Sequence, residues 1–171
     1  KVIVFRDYGC DDEPMVESSF YSLPDQNEEF RSFVNAIDAK GGGDGPENAL
    51  EAIALALKSD WTTGGSRRRH AILVFSDAPA LPLGERSGSS AYPSGLPENL
   101  AQLGAWWEGT DQTLGSTYQA KAGRLVAFVP NAEPWTELQA WNRYWPAFSP
   151  AGTGLEDVDI QSAIDLMVGS F

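Results

Sequence analysis

Ala71-Ile72-Leu73-Val74-Phe75-Ser76-Asp77 is the stretch on which the fold reading turns. Five apolar residues without a break are what a strand covered on both faces carries, and the run stops at a hydroxyl and an acid. Leu125-Val126-Ala127-Phe128-Val129 is a second run of the same kind. Strands buried on both faces belong to parallel sheets, and parallel neighbours need a long crossover, usually helical. The spacing supplies one, because Leu96, Leu100, Leu103 and Trp107 predict a helix between the two runs. Leu114, Tyr118 and Ala122 predict a shorter helix that stops at Gly123.

Upstream, Ala49, Leu50, Ile53, Ala54 and Leu57 line one face of a helix entered through Asp44, Pro46 and Glu47. Before it, Phe30, Phe33, Val34 and Ile37 follow the helical period, with Asp25 and Glu28 spaced as a capping box and Gly41-Gly42-Gly43 as the stop. Val2 to Phe5 reads as a short buried strand. Val16, Ser18, Phe20 and Ser22 alternate as an edge strand would before Pro24, and the two suggest a pair. Downstream, Trp135, Leu138, Trp141 or Asn142, and Trp145 predict a Trp-rich helix, Ala147-Phe148 a brief strand, and Ile160, Ile164, Met167 and Val168 a closing helix begun by Asp159. Strands alternating with helices, without repeat or linker, predict one α/β domain over residues 1–171 with a mainly parallel sheet.

Composition narrows the function. With 42% hydrophobic and 21% charged residues the chain is an ordinary globular sequence, and no apolar stretch is long enough to insert in a membrane. Twelve Lys and Arg against twenty-four Asp and Glu give a net charge of −12, which repels phosphate backbones and argues against nucleic acid as a partner. Cys10 is the single cysteine and leaves the compartment open, with the cytoplasm slightly favoured. The chain opens on Lys1 directly before an apolar run, as a piece cut from a longer chain would.

Ligands of open α/β sheets sit beyond the carboxyl ends of the strands, and Asp7, Asp44 and Asp77 stand where that rule looks for them. Hard cations such as Mg²⁺ take oxygen ligands and keep several waters, so two or three convergent acids with hydroxyls suffice. Each acid also has a plainer reading: Asp44 with Glu47 as a helix-capping box, Asp77 before Ala78-Pro79 as a turn former, and Asp7 as a turn or salt-bridge residue. The glycine-rich loop from Gly41 to Gly45 lacks the lysine and the spacing of a phosphate cradle. His70 is the single histidine, which removes multi-histidine zinc sites and reads as structural or surface. The tryptophans at helical spacing read as packing rather than sugar stacking, and Arg67-Arg68-Arg69 as a solvated loop.

Four signatures in order, F-R-D-Y-G at Phe5 to Gly9, the helix from Asp25, G-G-G-D-G-P-E at Gly41 to Glu47 and V-F-S-D-A-P at Val74 to Pro79, resemble the von Willebrand factor A domain, in its group with G-G-G-D-x-P-E. The resemblance implies a Rossmann-like, doubly wound sheet flanked by helices and a metal-ion-dependent adhesion site holding Mg²⁺, or Mn²⁺ or Ca²⁺. Asp44 falls at the family's Thr position and Asp77 at the Asp after its fourth strand, with Asp7 nearby. The family's first strand and its D-x-[ST]-x-S loop have no counterpart here, so the resemblance covers the C-terminal three-quarters of the fold. The expectation is therefore a gap between the strand at Val2 and the strand at Ala71, filled by an upstream segment or a separate chain, and a weakly held ion. The function implied is a non-enzymatic protein-binding module whose partner contributes a carboxylate to the ion. The alternative is an Mg²⁺-dependent hydrolase of a phosphorylated or acyl substrate that uses the same acids.

Overall fold

A computed structural model describes residues 1–38, 45–65 and 67–150, together with 161 and 165. The two apolar runs form adjacent parallel strands. Counting in chain order, β1 spans Ile3–Phe5, β2 Met15–Glu17, β3 His70–Phe75, β4 Gly123–Pro130 and β5 Tyr144–Ser149. The helices are α1 (Asn27–Asn35), α2 (Ala49–Lys58) and α3 (Leu100–Glu108). β3, β4 and β5 lie side by side in that order, all parallel, with Ile72 opposite Leu125 and Leu125 opposite Tyr144. β1 and β2 form a separate antiparallel pair centred on Val4 and Val16. The architecture is thus α/β with a parallel sheet and helices packed on it, and no ladder among the described residues joins the two sheets.

Alternation along β3 and β4 decides which face is the core. Ile72, Val74, Leu125, Ala127 and Val129 point to one side, where Leu50, Ile53, Ala54 and Leu57 of α2 and Leu103, Trp106 and Trp107 of α3 bury against them. Trp107 and Trp135 are fully enclosed. Their indole N–H groups donate to the carbonyls of Asn142 at 2.7 Å and Ala78 at 3.3 Å, so burying these rings strands no donor. Packing, as expected, is the role of Trp106, Trp107 and Trp135. On the other side Val126 and Phe128 bury with Trp145 and Ala147.

Several local expectations need correction. β3 is not covered on both faces: Leu73 and Phe75 are 37% and 42% exposed, on a strand at the edge of the described sheet, and among the described residues Phe128 stacks on Phe75 at 5.1 Å. The alternating segment to Ser22 keeps strand pairing only over Met15–Glu17. The Asp25–Glu28 capping box does not form; Gln26 stands at the helix start, and its side chain accepts the Ser22 N–H instead. The Trp-rich helix is a single 3-10 turn, Glu137–Ala140, after which the chain extends, so Trp145 lies in β5. Strand pairing with β4 outweighs the helical spacing of those rings. The helix from Leu114 to Ala122 is two 3-10 turns, Gln112–Leu114 and Ala120–Ala122. The glycine stop at Gly41 to Gly43 lies outside the described residues, as does the closing helix apart from Gln161 and Asp165, both helical and exposed.

His70 is structural. It is 2% exposed, stacked on Trp61 at 4.7 Å, and its Nδ1 accepts the Gln119 N–H at 3.1 Å. That assigns the ring proton to Nε2, which faces the Thr62 carbonyl at 3.3 Å.

α1 buries no residue, whereas Leu103 is fully enclosed. Leu103→Ala is therefore expected to lower stability by about 2–5 kcal/mol in equilibrium urea unfolding. Val34→Ala on α1 is expected to change it by no more than about 0.5 kcal/mol.

Candidate functional site

The site expected from the acids begins at the carboxyl ends of β1 and β3. Residues 47 and 48, just before α2, fasten both ends. Asn48 donates its backbone N–H to the Arg6 carbonyl at 3.2 Å, and its side-chain Oδ1 accepts the Tyr8 N–H at 2.8 Å. Glu47 donates to the Pro79 carbonyl at 3.0 Å and accepts from Leu81 at 2.8 Å, forming a one-residue parallel bridge with Ala80. The loop after β1, the entry to α2 and the loop after β3 thus meet at one rim of the molecule. Asp44 itself lies outside the described residues.

The same geometry removes the capping-box reading of Asp44 with Glu47. α2 begins at Ala49 with Asn48 at the cap, so Glu47 precedes the helix and its backbone is committed to the bridge. Asp77 is exposed, and none of its hydrogen bonds or ion pairs is among those described. Ser76 shapes the turn that carries it, through Oγ contacts to Ala78 at 3.1 and 3.2 Å.

Asp7 has a different environment. It is 1% exposed, and its two carboxylate oxygens accept from Arg86 Nε and Nη2, both at 2.9 Å. This is the two-pronged guanidinium–carboxylate geometry. Oδ1 also accepts the Gly9 N–H at 2.7 Å, and the Cys10 thiol approaches Oδ2 at 3.7 Å. Burial pushes the Asp7 carboxyl up, but the Arg86 hydrogen bonds and charge, with Gly9 and Cys10, outweigh it and hold the acid below its ordinary value of 3.8. Gly9 is required by this packing, since a Cβ there would stand 2.8 Å from Arg86 Nε. Both plainer readings of Asp7 are displayed, the salt bridge to Arg86 and a turn closed on its Oδ1 by the Gly9 N–H and on its carbonyl by the Asp11 N–H.

Arg86 and Glu51 are the residues that sequence reasoning missed. Arg86 sits in the irregular Pro- and Gly-rich segment, 79 positions from its partner, and nothing local marks it. Glu51, in the first turn of α2, is fully buried and accepts from the Gly84 N–H and the Tyr92 hydroxyl, each at 3.1 Å. No sequence signal marked it, for Glu51 lies outside the Ala49, Leu50, Ile53, Ala54 and Leu57 face and beside Lys58 around the helix, where an acid reads as solvated. Lys58 adds a third fastening of that segment through the Ser94 and Gly95 carbonyls at 3.2 and 3.0 Å.

As a metal site the described donors fit in part. Asp77 offers a free-standing carboxylate, Asp7 is taken by Arg86, and no group of three or more His, Cys, Asp or Glu side chains among the described residues is placed to hold an ion.

Comparison with known proteins bears on the same rim. Residues 12–83 match the von Willebrand factor A domain. That stretch runs from just before β2 to the loop after β3, and so contains Asp44 and Asp77. A 72-residue stretch, 42% of the chain, is 32% identical to alpha-protein kinase vwkA of Dictyostelium discoideum and covers 11% of that relative's length. No solved structure matches the chain significantly. The likeness to the von Willebrand factor A domain therefore covers two of the three segments that meet at the rim, the entry to α2 and the loop after β3, while β1, Arg6 to Tyr8, Arg86, β4 and β5 lie beyond it.

Two variants separate the halves of the buried ion pair at neutral pH. Arg86→Met strands a buried carboxylate and is expected to cost about 3 kcal/mol or more. Asp7→Asn leaves Arg86 a route to solvent and is expected to cost less, about 1–3 kcal/mol. Because the folded acid titrates below its unfolded value, the pair's stabilisation is complete above pH 3.8 and disappears as pH falls through the lowered folded value. Urea unfolding of wild type and Asp7→Asn should accordingly converge on acidification.

Proposed function

We propose that this chain is a protein-interaction module whose rim holds a hard divalent cation, Mg²⁺ or in its place Mn²⁺ or Ca²⁺. Asp44 and Asp77 are the ligands from this chain, and the partner protein contributes a further carboxylate. Asp7 acts from behind them, bracing the loop after β1 through Arg86. The observation that carries this reading is the stitching of Glu47 and Asn48 to the loops after both β1 and β3, with the exposed carboxylate of Asp77 on that rim. Carboxylates and waters suit a hard ion, and an ion with an open position can accept a partner's acid. The negative balance of the chain favours cations in general and disfavours phosphate-rich partners.

The separation of the two sheets supports a second element of the proposal. Among the described residues β1 and β3 each pair on one side only, and Leu73 and Phe75 of β3 stand open to solvent. A strand from an upstream segment or a separate chain, pairing between them, would satisfy those edge groups and join the sheets. The hydrolase alternative gains no specific observation, since the sole histidine is locked between Trp61, Gln119 and Thr62.

Isothermal titration with Mn²⁺ and Mg²⁺ tests the ion. Binding in wild type, lost in Asp77→Asn and weakened about tenfold in Asp7→Asn through the bracing role, is the expected outcome. A wild-type chain that binds neither ion, or an Asp77→Asn variant that binds as wild type does, overturns it.

A further inference from the structure

Glu51 is a fully buried acid with no ion pair among the described residues. Its Oε1 is satisfied by Gly84 and Tyr92, but its Oε2 is enclosed and has no protein partner. Tyr8 Oη and Asn48 Nδ2 are in the same condition. Glu51 and Asn48 are 0% exposed and Tyr8 5%, so solvent at the surface does not answer these atoms.

Three observations make the residues that carry these atoms neighbours. Asn48 Oδ1 accepts the Tyr8 N–H, which identifies the other end of that amide, Nδ2, as a donor. Glu51 lies three residues beyond Asn48, where side chains share one face of a helix turn. The Tyr8 ring packs on Tyr92 at 5.1 Å, and the Tyr92 hydroxyl is bound to Glu51. In keeping with this, burial and then the Glu51 charge push the Tyr8 hydroxyl up to about 12.

We propose that Tyr8, Asn48 and Glu51 form a site for one structural water molecule between the first turn of α2 and the loop after β1. The donor set selects the occupant. Asn48 Nδ2 can only donate, a carboxyl oxygen of Glu51 can accept, and the Tyr8 hydroxyl does either. Water meets all three. An ammonium ion has no acceptor for Asn48, a bare metal cation faces the positive end of that N–H bond, and an anion meets the lone pairs of the Glu51 carboxyl. Buried waters commonly hold about three hydrogen bonds of this kind. The site links Tyr8, next to Asp7, with Glu51, which holds Gly84 and Tyr92 on either side of Arg86. The water site and the Asp7–Arg86 pair are then two fastenings of one loop, and the first stands whether or not the rim binds a metal.

A crystal structure at a resolution that shows ordered water, from crystals soaked in Mn²⁺ with anomalous data, tests the assignment. A non-anomalous peak within hydrogen-bond distance of Tyr8 Oη, Asn48 Nδ2 and Glu51 Oε2 is expected. A direct Tyr8 Oη to Glu51 Oε2 bond with no peak between, or an anomalous peak there, overturns the proposal. In solution, the Asn48 side-chain amide should show a cross-relaxation peak to long-lived water in wild type. The peak is expected to be lost in Tyr8→Phe, which keeps the ring on Tyr92 and whose fold is checked by circular dichroism. Its survival at full strength in that variant overturns the proposal as well.

Discussion

Asn48 holds the rim together, with its main chain on Arg6 and its side-chain amide on Tyr8. Among the described residues β1 reaches the main body without a shared ladder, and it is held there by such contacts and by Phe5 packing against the core. An asparagine suits the role because one residue at the entry to a helix can donate from its backbone and accept through its side chain, which here serves Tyr8 rather than the helix's own N–H groups. Neighbouring Glu47 repeats the arrangement toward the loop after β3. Two consecutive residues therefore bring together segments that lie some 70 positions apart in the chain.

Charge at this rim is arranged in two depths. The inner acids, Asp7 and Glu51, are buried and committed: Asp7 to a guanidinium, Glu51 to a backbone amide and a phenol. A buried carboxylate is costly unless it is answered, and the long segment after β3 provides every one of these answers. The outer acid, Asp77, is exposed and carries no such commitment. In a chain with net charge −12, burying carboxylates against Arg86 and tyrosines settles the loop, while a solvent-facing acid stays available to an external cation.

Much of the framework was legible in advance because it follows from repeating patterns. The apolar runs at Ala71 and Leu125 became adjacent parallel strands, and the spacing of Leu50, Ile53 and Leu57 became the buried face of α2. The errors fell where a local pattern met a long-range competitor. Trp141 and Trp145 have helical spacing, but extension of Tyr144–Ser149 satisfies six residues of ladder beside β4. Asp25 and Glu28 have the spacing of a capping box, yet Gln26 holds that turn through Ser22. At the site, the placement of Asp7 and Asp77 just beyond strand ends was readable from the end of each apolar run, whereas the partner of Asp7 was not. Arg86 is one arginine in an irregular loop, and only the folded chain sets it opposite a particular carboxylate.

Composition and periodicity by themselves settled the class of fold, the order of the main elements and the acidic balance of the chain, because these depend on counts and on spacing between near neighbours. Tertiary structure alone decided which acids are buried, that Glu51 matters, and that Glu47 precedes α2 rather than lying in its first turn. Those outcomes turn on contacts between residues far apart along the chain, where the cost of an unanswered polar group, rather than any local preference, selects the partner.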